Sequence, residues 1–266
     1  MTSGLLSVEE AQARAVATVR PLGAERVGLS GALGRVLAET VRATGDVPPH
    51  DNSAMDGFAV RASDVAGPVE LRIIGEVAAG HVATRPLAAG EAYRIMTGAP
   101  IPPGADAVVM VESTEEIGDR VRLSAEVPLG QHVRRRGDDL RAGAEVLRPG
   151  VTLGPAELGI LASVKRASIA VTRRPEVALL ATGDELRDLD QPLDPGAIPD
   201  TNSYTLAALV RKAGGVPRVL PIVRDDRALL RAAIEEARAA DLIVSTGGVS
   251  VGAHDHVKEV LAELGA

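Results

Sequence analysis

Three loops in the last hundred residues combine glycines, hydroxyls and carboxylates, and each directly follows an apolar run. They are TGDEL (182–186), RDD (224–226) and TGGVSVGAHD (246–255). Glycine and hydroxyl turns offer backbone N–H groups to an anion. Carboxylates from separate loops suit Mg²⁺, which prefers oxygen ligands and bridges to phosphates. The combination favours a site that binds an anionic ligand together with a metal ion.

The strands and helices predicted around these loops should bring the loops together. EVALLATG, PRVLPIV and DLIVSTGG are typical of strands, and a helical pattern follows each of them. This alternation predicts a parallel sheet with right-handed crossovers, in which ligands bind beyond the carboxyl ends of the strands. In the first helix, NSYTLAALVRKAGG, we expect Asn202 or Ser203 to be the cap and Gly214 the stop.

Each loop also has a purely structural explanation. An Asp after a strand often caps the next helix, and this alternative stays open for Asp184, Asp225 and Asp226 taken singly. The TGG turn is common in α/β proteins and matches neither a Walker A loop nor GxGxxG. For HDH (254–256), the start of a helix is favoured over a metal cluster. The coincidence of three loops at one edge is what favours a ligand site.

The first 170 residues have a different texture. Ser7 and Glu10 form a capping box that predicts a first helix ending by Pro21, and a second helix is predicted over 31–41. Short apolar runs between Gly and Pro turns predict a β-rich module up to about residue 133. A polar connector follows, and GPAELGILASV (154–164) predicts another helix.

Two loops of the β-rich module carry further candidate residues. DNSAMDGFAV (51–60) packs acids, an Asn and a Ser around the only Phe of the chain, and it could be a surface turn or an anion- or metal-binding loop. RIMTGAPIPPGADAVVMVE (94–112) places Thr97 after an apolar strand. In the connector, RRRGDDL joins an Arg run to two acids, and we favour a solvated turn for Arg134 and Arg135.

Composition excludes several functional classes. The chain has 266 residues, no Cys and a formal net charge of −7. Without Cys there are no disulfides, no thiolate catalysis and no Cys-ligated zinc, which fits a cytoplasmic protein. The negative charge disfavours nucleic acid as a partner. No apolar run is long enough for a transmembrane helix, so no membrane partner is expected.

The chain resembles the MoeA family of molybdopterin molybdenumtransferases, which is related to the E domain of gephyrin. The shared motifs occur in the same order: DNSAMDGFAV, RIMTGAPIPPGADAVVMVE, RRRGDDLRAG, ATGDEL, IPDTNSYTLAALVRKAGG and STGGVSVGAHDHVKEVLAELG. The resemblance implies insertion of molybdate into adenylylated molybdopterin, with a requirement for Mg²⁺ and release of AMP. It also implies a homodimer with a shared active site, in which the α/β domain of one subunit faces the β module of the other.

The motifs carry candidate site residues into this chain. The expected catalytic residues are Asp56, Thr97, Asp139, Glu185, Asp225 and Asp255. Glu185 and Asp225 are also the expected Mg²⁺ ligands. The expected positions around the pterin and phosphate groups are Thr182, Gly183, Gly247, Gly248, Ser250 and Gly252.

The predicted fold class is α/β plus a β-rich module, in a multidomain chain. We expect a helical and extended connector domain (1–45 and 134–170), a small β module (46–133) and a MogA-like parallel-sheet α/β domain (171–266). The family continues past KEVLAELG with a PGNP-like segment and a C-terminal β domain, so we expect a C-terminal truncation and an incomplete α/β domain. Phe58 stands where the family often has Tyr, which removes a hydroxyl.

Two other functions stay open. One is a non-catalytic molybdopterin-binding or scaffold module, which the expected truncation favours. The other is an enzyme like molybdopterin adenylyltransferase, against which the long N-terminal half argues. A molybdopterin adenylyltransferase is also a candidate partner.

Overall fold

A computed structural model describes residues 6–247 and 257–264 of the chain. Among them are five α-helices: α1 (Val8–Thr18), α2 (Pro155–Ser163), α3 (Asn202–Lys212), α4 (Arg227–Ala237) and α5 (Val257–Glu263). The strands of the same residues are β1 (Ala24–Gly28), β2 (Val41–Arg42), β3 (Asn52–Ser53), β4 (Gly57–Val60), β5 (Val69–Val77), β6 (Glu91–Ile95), β7 (Ala107–Met110), β8 (Thr114–Ile117), β9 (Arg120–Leu123), β10 (Val133–Arg134), β11 (Glu145–Leu147), β12 (Ser168–Thr172), β13 (Glu176–Ala181), β14 (Leu186–Arg187), β15 (Ile198–Pro199), β16 (Val216–Val219) and β17 (Leu242–Thr246). None of the described helices has the length and apolar character that crossing a membrane requires.

The chain forms two compact units, each discontinuous in sequence. The first contains the described parts of Met1–Ala38, Thr152–Gly154 and Ser168–Ala266, and the second contains Glu39–Val151 and Pro155–Ala167. The finer division into three domains stays a prediction.

A parallel sheet with the strand order β16-β13-β17 forms the centre of the first unit. Val177 and Leu179 of β13 pack on the face covered by α3. Ala178 and Leu180 point to the opposite face and pack with α4 and α5. A strand covered on both faces needs apolar side chains at successive positions, which EVALLA supplies. The predicted alternation of strands and helices is confirmed.

An ion pair joins the amino ends of β13 and β17. Arg173 Nη1 lies 2.7 Å from Asp241 Oδ2, and the backbone N–H of Glu176 donates to the same carboxylate at 2.9 Å. The hydrogen bond from Arg173 is the main cause, and that from the Glu176 N–H the second, of a pKa of Asp241 lowered to about 2. The carboxylate therefore keeps its charge, and the pair holds the sheet together at the end opposite the predicted site.

The helix ends confirm most of the sequence signals and correct one of them. The predicted capping box opens α1, and Gly214, with φ +90°, follows the end of α3 as predicted. The cap of α3 is neither Asn202 nor Ser203. Instead Asp200 Oδ1 accepts a hydrogen bond from the backbone N–H of Ser203 at 3.1 Å, because the helix already begins at Asn202.

The helix predicted over 31–41 is wrong. Gly34 has φ +72° in this stretch. Val36 and Leu37 form isolated antiparallel bridges with Thr152 and Val171. Cross-strand pairing therefore takes up backbone groups that a helix would have used, and the apolar spacing alone did not reveal it.

A six-stranded mixed sheet dominates the second unit, in the order β7-β4-β6-β5-β9-β8, with only β5 and β6 parallel. Its core shows the alternation expected of a strand. Phe58 and Val60 pack in one cluster, while Ala59 packs in another. Phe58 is fully buried. A Cβ on Gly57 would lie 1.9 Å from the carbonyl oxygen of Val109, so only glycine lets β4 and β7 approach here.

Candidate functional site

The order of the parallel strands creates a crevice at one edge of the sheet. β13 precedes β16 and β17 in sequence but lies between them. The chain therefore leaves β13 on one side and returns on the other. In sheets of this order, ligands bind at the carboxyl ends, between the first and third strands. In this protein the crevice lies between the turns at 182–183 and 246–247.

Close backbone contacts define the floor of this crevice. The Thr182 N–H donates to the carbonyl oxygen of Thr246 at 3.1 Å. Gly247 has φ +86°, and a Cβ there would lie 2.7 Å from the carbonyl oxygen of Thr182. Thr182, Gly183 and Gly247, all predicted as ligand-binding positions, are thus brought together. The predicted Gly248, Ser250, Gly252 and Asp255 lie outside the described residues.

Carboxylates surround the same edge. Glu185 folds back over Gly183, so that a Cβ on Gly183 would lie 2.5 Å from Glu185 Oε2. The backbone N–H of Asp225 lies 3.4 Å from Asp184 Oδ1. Gly183 N–H donates to the carbonyl oxygen of Val223 at 3.1 Å, which ties the two loops together. The three acids Asp184, Glu185 and Asp225 are all exposed at the surface.

These three carboxylates form no ion pair with any described Lys or Arg. Within 6–247 and 257–264, no group of three Asp, Glu or His side chains is arranged to hold a metal. Two free carboxylates from separate loops nevertheless fit Mg²⁺, which is usually bound by one or two carboxylates and completes its coordination with water and substrate phosphates. Glu185 and Asp225 have this donor chemistry.

Asp226 has a different role from its neighbour Asp225. Its carboxylate accepts hydrogen bonds from the backbone N–H groups of Ala228 and Leu229, both at 2.9 Å. It is therefore the N-cap of α4. The cap explanation that the sequence left open holds for Asp226.

In the β module, Asp56 and Thr97 form a hydrogen-bonded pair. Asp56 Oδ1 accepts from the Thr97 hydroxyl at 2.7 Å and from the Thr97 backbone N–H at 2.6 Å. Both hydrogen bonds lower the pKa of Asp56, and the one from the Thr97 hydroxyl has the larger effect. An exposed carboxylate with a lowered pKa stays charged and is a poor general base at neutral pH. The pair is suited to positioning rather than to proton transfer.

The RRRGDDL segment holds the loop that carries Asp56. Asp51 accepts hydrogen bonds from the backbone N–H of Arg136 at 2.8 Å and from the Arg135 side chain at 2.7 Å. These two bonds, the backbone one first, lower the pKa of Asp51. The Arg135 side chain is 50% exposed, as a solvated turn predicts, but it also holds Asp51. No local sequence signal indicates this link, because its partners are 84 and 85 residues apart.

The hydrogen bonds of Asp139 involve neither Asp56 nor Thr97. Arg134 Nη2 donates to Asp139 Oδ2 at 2.7 Å, and the Asp139 N–H donates to the carbonyl oxygen of Val47 at 2.9 Å. Arg134 is likewise more than a solvated turn residue, because it neutralises the one acid of this segment that the motif marks as a site residue.

Fold and site together define an α/β domain that binds ligands at a switch point, attached to a β-rich module with an anchored acid and hydroxyl pair. Two family models match the chain. The MoeA N-terminal region (domain I and II) matches residues 6–164, and a probable molybdopterin binding domain matches residues 178–266. The chain belongs to the MoeA family, and the predicted family and fold class are confirmed.

Curated relatives and solved structures agree with this assignment. The molybdopterin molybdenumtransferase of Nostoc sp. is 45% identical over 248 residues, which are 91% of this chain and 57% of the relative. Molybdopterin molybdenumtransferase 2 of Mycobacterium tuberculosis is 41% identical over 259 residues, covering 95% of this chain and 64% of the relative. A crystal structure of the MoeA molybdopterin biosynthesis protein from Pyrococcus horikosii has a TM-score of 0.83 at 34% identity, covering 98% of this chain and 67% of that one. The chain thus spans 57% and 64% of the length of these two curated relatives.

Proposed function

We propose that the chain acts in molybdenum cofactor biosynthesis, inserting molybdate into adenylylated molybdopterin with Mg²⁺-dependent release of AMP. Membership of the MoeA family and the names of the curated relatives support this function. The structural observation that carries it is the set of unpaired carboxylates beside the glycine turns of the switch point. A phosphoanhydride substrate needs both an anion cradle and a bound cation, and this edge offers the chemistry for both.

The α/β domain supplies the phosphate and metal side of the site. Gly183 and Gly247 leave the backbone open, so that phosphate oxygens can approach it closely. The family motif assigns Gly248, Ser250, Gly252 and Asp255, which lie outside the described residues, to the same function. Glu185 and Asp225 hold Mg²⁺, which supplies positive charge against the charge that develops when a phosphoanhydride is cleaved.

The β module supplies positioning groups. The hydroxyl proton of Thr97 is already directed at Asp56, so the free lone pairs of the Thr97 oxygen act as an acceptor for a donor on the substrate or for bound water. Asp56 fixes this orientation and adds a constant negative charge. Asp139, paired with Arg134, holds the connector beside this loop, and we assign it a positioning role as well.

The matched pair Asp225→Asn and Asp226→Asn tests the metal assignment. Both variants remove one negative charge at adjacent positions, and Asn caps a helix about as well as Asp, so α4 stays intact in the second variant. We expect Asp225→Asn and Glu185→Gln to abolish Mg²⁺- and molybdate-dependent release of AMP from adenylylated molybdopterin, and Asp226→Asn to retain it. Normal AMP release by Asp225→Asn and Glu185→Gln would refute the assignment. Binding of the substrate by the unmodified protein without any turnover would instead favour the scaffold module.

We also propose a cytoplasmic homodimer that shares its active sites between subunits, with a molybdopterin adenylyltransferase as a partner that supplies the substrate. Subunit complementation tests the sharing. Asp56→Asn and Glu185→Gln subunits, each inactive alone, are mixed under conditions that allow exchange. Random pairing in a two-fold dimer restores about a quarter of the intact sites if Asp56 and Glu185 of different subunits meet in one site. No recovery in exchanged dimers contradicts a shared site.

A further inference from the structure

Two adjoining cavities lie on the other side of β13 from the glycine crevice, at the carboxyl end of β16. One has a volume of about 260 Å³ and lies beneath the first turns of α3. The other has a volume of about 270 Å³ and lies against the loop that follows β13. They share Asp188, Pro221 and Ile222 as lining residues. Together they fall within the roughly 300–1,000 Å³ of small-molecule sites.

The cavity beneath α3, which we call the ring cavity, has an aromatic wall and a hydroxyl that is open to the cavity. Tyr204 is 53% exposed, whereas the other two aromatic residues, Phe58 and Tyr93, are at most 2% exposed. The Tyr204 hydroxyl donates to Asp188 Oδ1 at 3.2 Å. Ser203 lines the same cavity and is only 5% exposed. Its hydroxyl makes no hydrogen bond to any residue in 6–247 or 257–264.

Because the Ser203 hydroxyl oxygen is not enclosed by protein atoms, it is open to the cavity and can donate to or accept from a ligand. The ring cavity otherwise has an apolar lining of Ala207, Leu220 and Pro221. It therefore offers one flat aromatic face, apolar surface and a few polar groups, the composition typical of sites for planar ligands.

The second cavity, which we call the arginine cavity, is lined by two arginines that form no ion pair with Asp184 and Asp188 of the same lining. Arg187 and Arg224 line it. Arg187 Nη1 donates to the backbone carbonyl oxygens of Asp184 and Leu186, both at 2.8 Å. Neither guanidinium forms an ion pair with a carboxylate in the described part of the chain. Guanidinium groups that are not paired with an acid are suited to phosphate, which they can bind in a bidentate manner.

We propose that the ring and arginine cavities together bind an amino-substituted nitrogen heterocycle joined to a phosphate, with the ring on Tyr204 and the phosphate on Arg187 and Arg224. The Ser203 hydroxyl and the Asp188 carboxylate then accept hydrogen bonds from the amino-substituted edge of the ring. The physiological ligand rests on the proposed function, because adenylylated molybdopterin contains two such groups, an adenylate and a pterin with its phosphate. The cavities accommodate one of them, and the glycine crevice between β13 and β17 accommodates the other.

Calorimetric titration with AMP, a pterin phosphate and ribose 5-phosphate tests the proposal. Tyr204→Leu removes the stacking surface, and Leu209→Ala is its matched control, since Leu209 lies on the same helix, is 54% exposed and lines neither cavity. Aromatic stacking of a base contributes enough that we expect Tyr204→Leu to weaken binding of the heterocyclic ligand about tenfold. Leu209→Ala is expected to bind it normally, and ribose 5-phosphate is expected to be insensitive to Tyr204. Arg224→Gln is expected to weaken both phosphate ligands.

Comparing AMP with the pterin phosphate shows which half of adenylylated molybdopterin the cavities bind. Tyr204-dependent binding of AMP assigns the cavities to the adenylate half, and Tyr204-dependent binding of the pterin phosphate assigns them to the pterin half. Unchanged affinity in Tyr204→Leu, or no binding of either ligand at millimolar concentration, overturns the proposal. Tyr204-dependent binding without AMP release from adenylylated molybdopterin would refute the proposed function and leave the ligand site standing.

Discussion

Replacing Gly247 by Ala tests how closely β17 must approach β13 at the candidate site. The added Cβ would lie 2.7 Å from the carbonyl oxygen of Thr182 and 2.8 Å from its Oγ1, whereas favourable carbon contacts begin at about 3.5 Å. Because the carbonyl belongs to the backbone, the strands themselves must separate. Overpacking of this kind costs about 1–3 kcal/mol, and the left-handed φ adds about 1–2 kcal/mol for a residue with a Cβ. We expect a loss of about 2–5 kcal/mol in the free energy of unfolding.

Urea unfolding followed by circular dichroism measures this loss, and Gly196→Ala is the matched control. Gly196 has φ +92°, close to the +86° of Gly247, but no heavy atom lies within 4 Å of the position that a Cβ would take there. It reports the conformational strain alone, so the difference between the two variants should be about 1–3 kcal/mol. Gly247→Ala should also speed hydrogen exchange of the Thr182 N–H, which is bonded to Thr246. Equal destabilisation by the two variants would refute the argument that Gly247 is needed for close approach.

Three further predictions concern single contacts. Thr97→Val should raise the pKa of Asp56 towards its ordinary value, because the hydrogen bond from the Thr97 hydroxyl is the main cause of the lowered pKa. Thr97→Ser keeps a hydroxyl and should leave the pKa of Asp56 low. An NMR titration that gives the same pKa for both variants would contradict this explanation. Gly183→Ala should displace the carboxylate of Glu185 and reduce AMP release. Backbone strain should also lower the free energy of unfolding by about 1–3 kcal/mol. Full AMP release by this variant would count against a role for the Glu185 carboxylate. The pKa of Asp241 is lowered from 3.8 to about 2, so the stability that its ion pair with Arg173 contributes is complete above about pH 4 and is lost as the pH falls through about 2. The Asp241→Asn protein should therefore be less stable than the unmodified protein at neutral pH, and it should lose less stability between about pH 4 and 2. If both proteins lose the same stability over this range, the ion pair does not contribute as proposed.

The sequence predicted the α/β part well because its signals are local. The run VALLA (177–181) is apolar at successive positions, which is typical of a short strand buried on both faces. Asp226 stands directly before a helical pattern that it caps. The meeting of the strand-end loops followed from a general rule about parallel sheets. The order of the strands did not, since no local signal says that β17 returns to the far side of β13.

Contacts between distant residues were the part that the sequence could not supply. Asp51 and Arg135 are 84 residues apart and Asp56 and Thr97 are 41 residues apart. The family motifs marked Asp56 and Thr97 as important but did not show that one holds the other. The hydrogen bond to Asp200 at the start of α3 could not be predicted for a related reason. Asn202 and Ser203 are equally good local candidates, and only the observed N-cap position, Thr201, excludes them.

The charges at the carboxyl edge argue for a ligand that carries both signs. Elsewhere in the chain, guanidinium and carboxylate groups pair across loops, as Arg173 does with Asp241. Along the arginine cavity, Asp184 lies beside Arg187 and Arg224, yet their side chains form no ion pair with one another. Solvent-accessible charges of this kind are stabilised by water, so they remain available to a ligand that carries the complementary charges. A phosphate can bind the arginines, and a metal ion bound to that phosphate can satisfy the carboxylates at the same time.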